Sequence, residues 1–125
     1  MKKVILDTNF VIDLIRFKIG LGEIEKLVDG KCRLIVPMTV FEELEKISGQ
    51  KTMDGVFARI GLMLIKEKDI DIVGVKGKMT DKVIAEMASE ENAIVATNDV
   101  ELRKSLRTSG VQTIYLRAKK HLAMD

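Results

Sequence analysis

At 125 residues, 46% hydrophobic and 32% charged, the chain has the size and composition of one globular domain with no room for a second. Its longest apolar run, Ile60 to Ile65 with Gly61 inside it, is far short of the roughly 18–20 residues that cross a bilayer, and one cysteine (Cys32) with one histidine (His121) excludes a disulfide or a zinc centre. The net charge of +2 hides an asymmetry: residues 1–102 hold 15 basic and 18 acidic side chains, whereas Arg103 to His121 hold six Lys/Arg and no acid.

In chain order, Lys3–Leu6 is a β-branched run that reads as the first strand. It stops at Asp7 instead of continuing into a signal-peptide core, which predicts a cytoplasmic protein with no membrane association. Phe10, Val11, Leu14 and Ile15 then recur at helical spacing, with Asn9 the expected cap. A short helix over 23–28 precedes a second strand, Arg33–Val36, closed by Pro37. The next helix begins at Thr39, buries Val40, Phe41, Leu44 and Ile47, and ends at Gly49. A third helical pattern, Met53 to Lys68, is expected to turn Val56, Phe57, Ile60 and Leu64 inward. Ile70–Val75 is the third strand. Asp81 opens a helix with Val83, Ile84, Met87 and Ala88 inward, and Ala93–Ala96 is the fourth strand. Thr97-Asn98-Asp99 leads into a helix whose apolar positions are Val100, Leu102 and Leu106, capped by Gly110. Thr113–Leu116 is the fifth strand, and the residues beyond Leu116 read as a solvated basic tail. Strands alternating with helices predict right-handed βαβ units, hence an α/β fold: a three-layer α/β/α sandwich around a central parallel five-stranded sheet, in one domain over 1–125.

In such sheets chemistry gathers at the carboxyl ends of the strands, where strand order reverses. Asp7 follows the first strand, Glu43 lies one helical turn beyond the second, Asp81 follows the third and Asp99 the fourth, so the topology points four acids at one edge. Each has a structural reading beside the functional one. Asp7 can cap a helix, although Asn9 stands closer to the apolar pattern. Glu43 can be one solvated glutamate among several, but Thr39 and Glu42 have capping-box spacing, which accounts for Glu42 and leaves Glu43 without a structural task. Asp81 and Asp99 sit where a helix dipole favours an acid regardless of function, and Asn98 with Glu101 makes a second box.

Carboxylates brought together repel unless cations neutralise them. An all-oxygen donor set without histidine suits Mg²⁺ or Mn²⁺, and a partly hydrated ion of this kind activates water for attack on a phosphodiester, while a second ion can stabilise the leaving 3′-oxygen. Asn9 and Thr97, short polar side chains beside two of the acids, are the expected orienting groups.

At these residues the sequence resembles the PIN-domain nucleases. The resemblance covers essentially the whole chain: an apolar strand into Asp7-Thr8-Asn9, then Pro37-x-x-Val40-x-x-Glu43-Leu44, Asp81-x-x-Ile84-Ala85, and Ile94-Val-Ala-Thr97-Asn98-Asp99. It implies an Mg²⁺- or Mn²⁺-dependent endoribonuclease with Asp7, Glu43, Asp81 and Asp99 as metal-binding catalytic acids, Asn9 and Thr97 as polar helpers, RNA as substrate and a homodimer as assembly. Two branches compete. Leu102-Arg103 and Ile114-Tyr115-Leu116-Arg117 with Lys119-Lys120 resemble the archaeal relatives of nucleases that process small-subunit ribosomal RNA, which implies a ribosome-assembly partner. VapC-type toxins, which pair with an antitoxin, share the four acids but commonly carry an aromatic where Leu102 stands.

Other classes fit less well. A haloacid-dehalogenase phosphatase needs a second aspartate at the position of Asn9, a receiver domain needs its aspartate directly after the third strand, and no phosphate-binding P-loop occurs. A PIN-like module that holds RNA or a protein without cutting remains the alternative, and divalent-ion dependence separates the two. Arg103, Lys104, Arg107, Arg117, Lys119 and Lys120 are the expected RNA-binding residues, acting on phosphates and lying away from the acids; a solvated surface is the competing reading. Aromatics at 4% disfavour base-stacking platforms.

Overall fold

Apolar runs at Val4–Leu6 and Ile94–Ala96 are buried along their whole length, as expected of strands covered on both faces. The computed structural model describes residues 1–74 and 79–125. Its elements are β1 (Lys2–Leu6), α1 (Thr8–Arg16), α2 (Gly22–Val28), β2 (Cys32–Pro37), α3 (Met38–Ser48), α4 (Met53–Glu67), β3 (Asp71–Val73), α5 (Thr80–Glu91), β4 (Ile94–Ala96), α6 (Val100–Thr108), β5 (Thr113–Arg117) and β6 (His121–Met124). The sheet order is β3-β2-β1-β4-β5-β6. β1 to β5 run parallel, so the three-layer α/β architecture is as expected, with α1 to α4 on one face and α5 and α6 on the other by the right-handed crossover rule. Strand order reverses between β1 and β4, where Leu6 pairs with Ala96. Val75, expected at the end of the third strand, lies outside the described residues.

The sheet differs from the expected five strands by a sixth. Residues read as a tail return as β6, antiparallel to β5, with Arg117 opposite His121 and Ile114 opposite Met124. The turn left no mark in the sequence because Ala118 and Lys119 take the two left-handed positions, φ 54° and 58°, that Asn-Gly ordinarily fills in a hairpin. Arg103 then ties the strand down. Its guanidinium lies 3.5 Å from the centre of the Tyr115 ring and donates to Asp125 Oδ2 at 2.9 Å, with Arg107 3.7 Å from the same carboxylate.

Three helix starts differ from expectation. Asp7, not Asn9, caps α1, its side chain accepting from Thr8 N. α3 begins one residue early behind Pro37, so Thr39 lies inside the first turn with its hydroxyl buried and unpartnered, and the Thr39–Glu42 box does not form. Asp99, not Asn98, caps α6, accepting from Leu102 N at 3.1 Å. Val100, expected inward, is exposed. Gly110 does terminate α6: at φ 80° it sends its N–H to Arg107 O, and Val111 N–H reaches back to Leu106 O, a Schellman arrangement.

The buried face of α4 is only partly the expected one. Phe57 packs half-buried against the core and Leu64 is half-buried, but the fully buried positions are Gly55, Ala58, Gly61 and Ile65, while Val56 and Ile60, expected inward, join Met53 and Met63 on an exposed apolar stripe. Small residues win because α4 packs closely against α1 and α3, and a larger side chain has no space there. A Cβ at Gly61 would stand 2.8 Å from Val11 Cγ1, and one at Gly55 only 2.1 Å from Gln50 O. Gly61→Ala should therefore destabilise the protein by about 1–3 kcal/mol, the usual cost of overpacking, despite alanine's better helix propensity. Urea unfolding checks it, and unchanged stability would mean α1 and α4 are farther apart than described.

Candidate active site at the carboxyl ends of the strands

The edge is organised around Asp7, which extends β1 by one residue through Asp7 N to Ala96 O at 2.9 Å. This places the carboxylate over the β1–β4 reversal, 5% exposed. Oδ1 accepts from Thr8 N at 2.8 Å and Oδ2 from Thr97 Oγ1 at 2.7 Å. Thr97 is fully buried, paired to β5 through Thr97 N to Ile114 O, and its hydroxyl also accepts from Asp99 N at 3.1 Å. Desolvation pushes the Asp7 carboxyl above the ordinary carboxylate value, the two hydrogen bonds pull against it, and the charges of Asp81 and Glu43 push further up. Asp81, in the first turn of α5, is raised by partial burial first and then by Asp99 and Glu43. Asp7 thus lies in the fields of Asp81 and Glu43, and Asp81 in those of Asp99 and Glu43, so Asp81 links the four acids that the topology points at this edge.

Glu43 projects from the middle of α3, exposed, and its Oε1 accepts from two hydroxyls, Thr8 Oγ1 at 2.8 Å and Thr80 Oγ1 at 2.9 Å. Asn9 is exposed, and its Oδ1 accepts from Asn98 N at 3.2 Å. Asn98, expected only as a helix cap, has a larger part. Its amide donates to Asp13 Oδ2 at 2.9 Å and its Oδ1 accepts from Leu116 N at 2.7 Å, joining α1, the β4–α6 turn and β5. Thr8, Thr80, Asp13 and Asn98 are site residues that the sequence does not single out. The weak signal for the threonines is adjacency, each standing next to an acid.

The Leu116–Asn98 bond brings the carboxyl end of β5 beside the β4–α6 turn, whereas Lys120 lines a hollow with Phe17, Lys18, Gly22 and Lys26 at the opposite end of α1 from Asp7. The six cations of the basic segment differ in their engagement. Arg103 and Arg107 face Asp125, and Lys104 lies 4.0 Å from Glu101. Arg117, Lys119 and Lys120 are exposed at the β5–β6 turn. His121 is exposed beside them, and Cys32 is half-buried, its thiol pushed up by burial and by Glu25.

Among the described residues, no three His, Cys, Asp or Glu side chains stand close enough to hold one ion as arranged. The donor set nevertheless fits a hard divalent cation. It consists of oxygen alone, and a bound positive charge reverses the repulsion that raises Asp7 and Asp81. Four helices, α1, α3, α5 and α6, also begin at this edge, each bringing about half a positive charge, so dipoles offset roughly half of the four negative charges.

Comparison with known proteins gives concordant results. A family model described as a PIN like domain matches residues 4–119. The chain is 33% identical over 124 residues to Ribonuclease VapC4 of Methanocaldococcus jannaschii, covering 97% of this chain and 95% of that one. The PIN domain endonuclease Utp24 superposes with a TM-score of 0.82 at 26% identity, covering 98% of this chain and 90% of that structure. A domain of a functionally unknown protein from the same archaeon superposes with a TM-score of 0.68, also at 26% identity, covering 94% and 93%.

The raised Asp7 carboxyl fixes the sign of a pH effect. An acid whose folded pKa lies above its unfolded value of 3.8 binds its proton more tightly in the native state, so stability falls as pH rises through the folded pKa. Asp7→Asn removes that titration but offers one acceptor where the carboxylate offers two, so it carries a pH-independent cost, and its melting temperature relative to the parent's should rise as pH increases from 3.8 to 7. Mn²⁺ should raise the parent's melting temperature and leave the variant's unchanged. A difference in melting temperature that stays constant with pH would overturn this account of the site.

Proposed function

Because this chain belongs to the PIN-like domain family of nucleases, we propose that it is a divalent-metal-dependent endoribonuclease that hydrolyses RNA phosphodiesters with water as nucleophile. The observation that carries the reading is the gathering of four carboxylates from four separated segments at one sheet edge, two of them with pKa values raised by burial and by mutual repulsion. Asp7, Glu43, Asp81 and Asp99 are the residues that would hold Mg²⁺ or Mn²⁺. Such an ion, when bound, supplies acidification of a water and charge neutralisation at the scissile phosphate. The chain's own contribution is placement. Thr97 and Thr8 N donate to Asp7 and counter part of the rise that desolvation imposes on its carboxyl, Thr97 couples Asp7 to Asp99, and Asn9 with Asn98 holds the β4–α6 turn against α1. No side-chain nucleophile is required.

RNA reaches a negative edge, so cations beside it have to attract the polyanion. We assign this to Arg117, Lys119 and Lys120, exposed at the β5–β6 turn, with Lys104 as a flank; Arg103 and Arg107 serve chiefly to hold Asp125. For the homodimer implied by the resemblance, the exposed stripe of Met53, Val56, Ile60 and Met63 supplies apolar area.

We favour a role in RNA processing with ribosome-assembly partners, supported by the likeness to the PIN domain endonuclease Utp24 and by Leu102, on the buried face of α6, standing where VapC-type toxins commonly carry an aromatic. The 33% identity to VapC4 supports a second reading, a cytoplasmic toxin ribonuclease held by an antitoxin. Growth arrest on expression, relieved by a co-expressed neighbouring gene, identifies the toxin.

The central test is cleavage of a mixed RNA pool. Mn²⁺ or Mg²⁺ should support it and EDTA abolish it, and Glu43→Gln should lose most activity at unchanged melting temperature while Glu42→Gln stays near the parent. RNA binding that is equal with and without divalent ions, and no cleavage, would leave a non-cleaving binding module. The triple replacement Arg117→Ala, Lys119→Ala and Lys120→Ala should weaken binding to all sequences alike and flatten the slope of log affinity against log salt by about two, at about 0.7 per phosphate contact on a single strand. An unaltered slope would move the RNA path elsewhere.

A further inference from the structure

Resting on the nuclease reading above, we propose that Thr8 and Thr80 are positioning residues that set the orientation of the Glu43 carboxylate by donating to it from the starts of α1 and α5, where they adjoin Asp7 and Asp81. Glu43 differs from Asp7 and Asp99 in how it is held. Those two are helix caps whose oxygens accept backbone N–H groups fixed by the fold, from Thr8 and Leu102. Glu43 lies in a helix interior, where backbone N–H groups are already used, and its longer side chain has more rotamer freedom to lose. The hydrogen bonds that restrain it come from two threonine hydroxyls, at 2.8 and 2.9 Å, both on Oε1, which leaves Oε2 directed to other partners.

The two hydroxyls come from equivalent places. Thr8 is the first residue of α1 and follows Asp7; Thr80 is the first residue of α5 and precedes Asp81. Neither has a preceding turn of its own helix to bond back to, the usual fate of a helical threonine hydroxyl, and both are free to reach across to α3. Thr97 has a related part, its hydroxyl donating to the Asp7 carboxylate and accepting from the Asp99 backbone N–H. Asp81, which follows Thr80 in the chain, lies in the fields of Asp99 and Glu43. The Thr8 and Thr80 hydroxyls each contact one carboxylate, that of Glu43, and tie it to a helix start that carries another acid. Their effect on the site is the one that outer hydrogen-bond partners exert on metal ligands, where removal typically costs roughly 10–100-fold in affinity or activity.

The competing account is that the two bonds merely staple α3 to α1 and α5. Valine keeps the shape of threonine and removes the hydroxyl, so Thr8→Val and Thr80→Val separate the two, with Thr8→Ser and Thr80→Ser restoring the hydroxyl. Three quantities are measured on the full chain: Mn²⁺ affinity by calorimetry, melting temperature without added metal, and kcat and KM on RNA. Each valine variant should bind Mn²⁺ about tenfold more weakly and lose kcat more than KM at an unchanged melting temperature. The serine variants should recover both affinity and kcat. In a Glu43→Gln background, either valine should have no further effect on Mn²⁺ binding. Valine variants that bind Mn²⁺ and cleave like the parent, while Glu43→Gln does not, would overturn the positioning role and leave the nuclease reading intact. Valine variants that lose melting temperature together with affinity, unrescued by serine, would assign the bonds to packing. Parental Mn²⁺ affinity and cleavage in Glu43→Gln would remove Glu43 from the site and both proposals with it.

Discussion

A carboxylate buried at the seam where the sheet reverses direction is the constraint on which the rest of the edge depends. Asp7 is there because β1 and β4 pair in parallel with Leu6 opposite Ala96, and its burial is unfavourable unless donors meet both oxygens. One donor, Thr8 N, comes with the start of α1. The other, Thr97, has to be delivered from 90 residues away by β4. The register of the central strands, the start of α1 and the path out of β4 are therefore set by a single group, and Asp99 is placed with them because its own N–H is bonded to the hydroxyl that Asp7 requires.

Around that seam the fold supplies compensation of two kinds. The starts of four helices face the acids and lower the potential there without any mobile charge. Threonine hydroxyls that donate to Asp7 and Glu43 then hold those two carboxylates in place. Both devices are electrically neutral overall, so the edge stays negative. The positive β5–β6 turn is the exposed counterweight, and it belongs to a part of the sheet whose geometry is held by an arginine sandwiched between a tyrosine ring and a carboxylate.

Part of this is legible in the chain because two of the acids follow apolar runs, and an apolar run of β-branched residues marks where a strand edge falls, whereas Glu43 inside α3 and Asp81 in the first turn of α5 are placed only by the topology. Asp7 after Val4-Ile5-Leu6 and Asp99 after Ile94-Val95-Ala96 are the clearest cases. The features that stay hidden have specific physical causes. The β5–β6 hairpin uses alanine and lysine in left-handed conformations, so the turn has no glycine or asparagine to betray it. The fully buried positions of α4 are mostly glycine and alanine, and a reading guided by hydrophobic bulk passes over them for Val56 and Ile60. Thr8 and Thr80 look like ordinary helix-start residues, since nothing local tells which partner a hydroxyl will find across 35 or more positions. The caps of α1 and α6 fall one or two residues from their expected places because Asp7 and Asp99, set aside in the sequence as candidate ligands, are themselves the capping groups, whereas local spacing treats those roles as exclusive.

The close approach at Gly61 ties that geometry to a residue with no chemistry. Val11, which Gly61 touches, is one helical turn from Asp7, about 6 Å of rise, and its N–H makes the first intrahelical bond of α1 to Asp7 O. A few tenths of an ångström forced between α4 and α1 is therefore passed along a stiff rod to the carboxylate, and functional constellations tolerate errors of only about 0.5 Å. The spacing of two helices on the far side of the core acts as a calibration of the active edge, so a methyl group there is a mechanical perturbation of the site long before it is a threat to the fold.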